Sequence, residues 1–109
     1  MTRDSIVWDL FDRKLPDNWP DNDLPLYLGE VDKLYNDLTG NYLPGNRSKM
    51  IERMESEGGS EVCKKIVIAM AHRAIRTYEE KMGSYPDFKE EYQSKINNLN
   101  DIINVANTL

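Results

Sequence analysis

Lys65, His72 and Arg76 are spaced at i, i+7 and i+11, so on a helix turning about 100° per residue they fall within about 40° of one another. Arg73 flanks them. One imidazole among three fixed cations is suited to holding a phosphate or carboxylate, and the cations would lower the imidazole pKa. This stripe is a candidate site for a small anionic or nucleotide ligand, bound within one chain or between protomers. The competing reading is a solvated helix face, because Glu61 and Lys65, and Arg76 and Glu80, are i,i+4 pairs.

A second group with chemical character is the acidic, Trp-bearing segment Asp17, Trp19, Asp21 and Asp23. A tryptophan among carboxylates can anchor a basic protein surface, and Tyr35 and Tyr42 extend the aromatic content of the same region. The alternative use of Trp19 is to fold back onto the core, where its ring contributes large apolar area. Calcium binding fails on spacing: a loop begun at Asp21 puts Pro25 at its fifth position, Leu26 where glycine is required and Asp32 in place of a twelfth-position glutamate.

Other chemistries lack their parts. The sole His and the sole Cys, His72 and Cys63, point to nearly opposite faces of one expected helix, so neither a zinc site nor a Cys-His nucleophile is available locally, and no metal or cofactor is expected. No P-loop or GxGxxG occurs. Glu79-Glu80 and Glu90-Glu91 read as solvated, because acid-base pairs must converge from different elements in a desolvated cleft. An enzyme requires a cleft that gathers His72 with a carboxylate from another helix; the expectation is that the chain is not one. A helix-turn-helix between Arg47 and Arg76 would open its second helix on Glu61-Val62-Cys63, which is unsuited to DNA. Asn46-Arg47-Ser48 matches a glycosylation acceptor, which means nothing without a secretory leader.

The elements that must position these residues are helices. Ile6, Val7, Leu10, Phe11 and Leu15 predict a helix over about 5–14, after which Pro16, Pro20 and Pro25 exclude regular structure around 15–23. Asp23 caps a helix over 24–38, whose apolar face runs from Leu24 to Leu38 and ends at Gly40. Leu43-Pro44-Gly45-Asn46 fits a type II turn. A short helix over 47–57 carries Met50, Ile51 and Met54 inward and stops at Gly58-Gly59. The strongest pattern, over 61–82, covers more than half a helix circumference and so implies several neighbours. The last helix, over 87–106, bears Phe88, Tyr92, Ile96, Leu99, Ile102, Ile103 and Ala106. Its spacings of four and three form a short seam, to be used against the central helix or as a homodimer surface. The expected fold is all-α: a single domain, a bundle of four to five helices built on a long C-terminal αα-hairpin.

A chain of 109 residues buries roughly 60 to 70% of its unfolded surface, enough for one core without metals or disulfides. Its net charge of −5 is concentrated at the start, where residues 1–38 hold nine acids and four bases. That balance opposes phosphate-backbone binding and suits a protein partner with a basic surface. Without a leader pattern, a pairable cysteine or an apolar run near the ~20 residues of a membrane span, a cytoplasmic setting is expected. The leading functional expectation is a non-catalytic acidic binding protein that docks on a larger protein and inhibits or regulates it. Immunity proteins and viral counter-defence inhibitors resemble it in size and charge only. The alternative is a sensor or sponge for a small anion using Lys65, His72, Arg73 and Arg76.

Overall fold

Pro16 shapes the first element. In a regular α-helix its ring would strike the Asp12 carbonyl, and it has no N–H for the ladder. The computed structural model describes residues 5–20 and 24–109, and in it the chain responds by widening. Helix α1 (Ser5–Asp9) runs into a π turn over Leu10–Lys14 and on into α2 (Leu15–Asp17), with the Leu15 N–H reaching back to the Leu10 carbonyl. Asp9, Lys14 and Leu15 keep helical dihedrals, so the three pieces form one rod. Helix therefore continues through Pro16 to Asp17, three residues past the expected stop at 14.

The wide turn leaves the Phe11 carbonyl without a ladder donor, because the residue five positions on is Pro16. The Tyr27 hydroxyl donates to it at 3.0 Å. The rod's last carbonyls also find donors: the Asn18 and Trp19 N–H groups reach Leu15 and Pro16 at 3.1 and 3.2 Å, Asn18 Nδ2 reaches Lys14 at 2.6 Å, and Lys95 Nζ reaches Asp17 at 3.0 Å. These are the acceptors that every helix end leaves open.

Helix α3 (Leu24–Thr39) buries Tyr27, Val31 and Tyr35 and ends at Gly40, whose φ of 79° lets its N–H return to the Asn36 carbonyl at 2.8 Å. Gly45 does not take a positive φ, so the type II turn expected at Pro44-Gly45 does not form. The connection is held instead by Asp32, whose carboxylate accepts the Leu43 N–H at 2.7 Å, and by Asn46, whose side chain accepts the Lys49 N–H and caps α4 (Arg47–Arg53). A second π turn, Met54–Gly58, continues α4, and Gly59 (φ 67°) redirects the chain into α5 (Gly59–Ser84).

Helix α5 is the hub, packing against α6 (Lys89–Asn107), the first rod, α3 and the second π turn. Its fully buried Cys63, Ile66, Val67, Ala71 and Ala74 form the middle of the core. A 3₁₀ turn over Pro86–Phe88 joins α5 to α6 as a long αα-hairpin. Ile96, Leu99, Ile103 and Ala106 are buried inside the chain, each large aliphatic side chain contributing about 1.5–3 kcal/mol by burial. The seam on the last helix is therefore used within the hairpin, against α5. Among the described residues the fold is all-α, with no strand, and no helix is long and apolar enough to cross a membrane.

Candidate functional site

Two of the three aromatic residues expected at a partner surface, Trp19 and Tyr35, are taken inward, and the third, Tyr42, is exposed. Trp19 is 6% exposed and packs edge-on against Tyr27 at 5.6 Å; Tyr35 is fully buried. Both rings are spent on the core of the chain itself. Asp21 and Asp23 lie outside the described residues. Asp17 and Tyr42 are exposed, but at opposite ends of α3, which at 16 residues is about 24 Å long. The four described residues of this group, Asp17, Trp19, Tyr35 and Tyr42, do not share one exposed patch.

The basic stripe on α5 also divides. Arg73 forms an ion pair with Glu30 of α3, and its guanidinium sits 5.6 Å from the centre of the Trp19 ring. Arg76 joins Arg73 at a cleft between α5 and α3, opposite Lys33 and Asp37. Lys65 and His72 are exposed and lie outside the lining of this cleft. The sequence reading missed Glu30, Lys33 and Asp37. Their signal was positional: at i, i+3 and i+7 they share one edge of α3, beside its apolar face.

At the far end of the hairpin stands a surface the sequence did not announce. Phe88, expected in the core stripe, is 52% exposed, and Tyr85 beside it is 56% exposed. Phe88 packs on Tyr92 at 6.2 Å, and Tyr92 on the buried Tyr78 at 5.6 Å, so the exposed ring is backed by an aromatic row leading inward. Asp87, Glu90 and Glu91 are exposed around it, with Glu79 and Glu80 on the facing helix. The tip is thus apolar at its centre, with five carboxylates against Lys81 and Lys89 at its margin.

Among the described residues no three His, Cys, Asp or Glu side chains gather as metal ligands. Cys63 is buried and forms no disulfide. No protein-family model matches the chain, and no curated protein or solved structure matches it.

Proposed function

We propose that this chain is a non-catalytic binding protein that docks through its hairpin tip on a larger protein and inhibits or regulates it. The observation that carries the reading is the half-exposed pair Tyr85 and Phe88 within the carboxylates Asp87, Glu90 and Glu91. Aromatic rings are the side chains most often dominant in interfaces, and a ring already held by neighbours loses little freedom when it is captured. Phe88 is held in this way by Tyr92. The surrounding negative charge selects a basic partner surface and accelerates encounter. A cytoplasmic setting fits a chain with a single cysteine and no disulfide.

The test compares the full chain with Y85A/F88A and with D87N/E90Q/E91Q as baits in a lysate of the native host, followed by binding kinetics with the recovered protein. A partner retained by the parent chain, lost with Y85A/F88A, and slower to associate with the charge variant supports the reading. A partner bound equally by all three places docking elsewhere, and recovery of no stoichiometric protein overturns the function itself.

A further inference from the structure

We infer that the cleft between α3 and α5 is a binding site for a small phosphate monoester with a planar body, of the size of a mononucleotide. Its volume of about 460 Å³ lies within the range of about 300–1,000 Å³ usual for small-molecule sites. The floor is apolar, made by Leu34, Ala69 and the buried Met70. The walls are charged. Glu30 and Arg73 neutralise one another across the cleft, and Arg73 is further fixed by the face of Trp19. Its fork of five donors is not exhausted by one carboxylate. That leaves Arg76 and Lys33 against Asp37, an excess of positive charge in a chain whose net charge is −5.

The ends of the cleft differ. The Glu30–Arg73 pair and the hydrogen bond from the Tyr35 hydroxyl to Glu57 show that α3 and α5 run in opposite senses. Asp37 therefore lies about two turns from that ion pair towards one end, and Arg76 about one turn from it towards the other. A phosphate seated by Arg76 and the spare Arg73 donors leaves a planar body over Leu34 and Met70. An amino group on that body then reaches towards Asp37. The site uses Arg73 and Arg76 without Lys65 or His72, and it is separate from the docking tip.

The test titrates the full chain with the four ribonucleoside 5′-monophosphates, with adenosine and with inorganic phosphate, read by calorimetry and by melting temperature. At least one mononucleotide is expected to bind saturably and, at a hundred times its dissociation constant, to raise the melting temperature by on the order of 10 °C. Adenosine and inorganic phosphate bind at least tenfold more weakly. R76Q, on the exposed rim, weakens binding about tenfold, whereas K65Q/H72N leaves it unchanged. Absence of saturable binding by all four mononucleotides overturns the site, as does binding that survives R76Q. Equal affinity for inorganic phosphate overturns the role of the apolar floor.

Discussion

The Tyr27 hydroxyl donates to the Phe11 carbonyl at 3.0 Å, closing from α3 the gap that Pro16 opens in the first rod. Both groups are buried, so the bond stands in place of one the ladder cannot make. Removing the hydroxyl with Y27F leaves a buried acceptor unsatisfied. The expected loss is about 1–3 kcal/mol, seen as a lower urea midpoint with an unchanged slope. An unchanged midpoint would mean that the Phe11 carbonyl has another donor.

A second tyrosine links α3 to the second π turn and should make stability pH-dependent. The Tyr35 hydroxyl donates to Glu57 Oε2 at 3.2 Å. Burial, then the hydrogen bond to Glu57 and its negative charge, hold the phenol above its ordinary value of 10.0. The unfolded chain therefore releases this proton first as pH rises, and above about pH 10 the contribution of Tyr35 declines. Below that range it is fully present. The difference in unfolding free energy between the parent and Y35F should shrink as pH rises above about 10. A constant difference would show that Tyr35 titrates alike in both states.

Two glycines should respond oppositely to the same substitution. Gly40 needs its φ of 79° to end α3, although nothing lies within 4 Å of an added Cβ. G40A should lower stability by about 1 kcal/mol through backbone strain alone. Gly83 lies in the last turn of α5, with open space around it and no positive φ. G83A should raise stability by about 0.5–1 kcal/mol. Thermal melts of the two variants are then displaced to opposite sides of the parent.

Docking and folding should separate at the hairpin. Tyr85 and Phe88 are half exposed, whereas Leu99, further along α6, is fully buried. Y85A/F88A should cost less than about 1.5 kcal/mol, and L99A about 2–5 kcal/mol. Denaturant melts of both check this; a large loss in the tip variant would make the aromatic pair part of the core.

Much of the architecture was legible because helical periodicity is local. The apolar spacings of α3, α5 and α6 can be read without knowing what they meet. The passage of helix through Pro16 could not be read, since its carbonyls are satisfied by Tyr27, 16 residues from Phe11, and by Lys95, 78 residues from Asp17. The same limit governs the surfaces. Nothing in the spacing of Trp19 or Tyr35 tells an inward ring from an outward one, and Arg73 leaves its stripe because Glu30, on another helix, attracts it. Phe88 continues the stripe of α6 by sequence, but it lies in the turn beyond the end of α5, where no facing helix covers it.

The two π turns also determine where the chain tolerates a change in length. A turn closed five residues back holds one residue more than a turn closed four back, so the surplus is absorbed locally and the flanking faces keep their direction. Loss of one residue within Met54–Gly58 would tighten the turn while leaving Met50 and Cys63 facing inward, whereas the same loss within Leu10–Lys14 would return Pro16 to the regular turn that its ring opposes. The same loss in the middle of α6 would swing every later side chain by about 100° and turn Ile102, Ile103 and Ala106 away from α5.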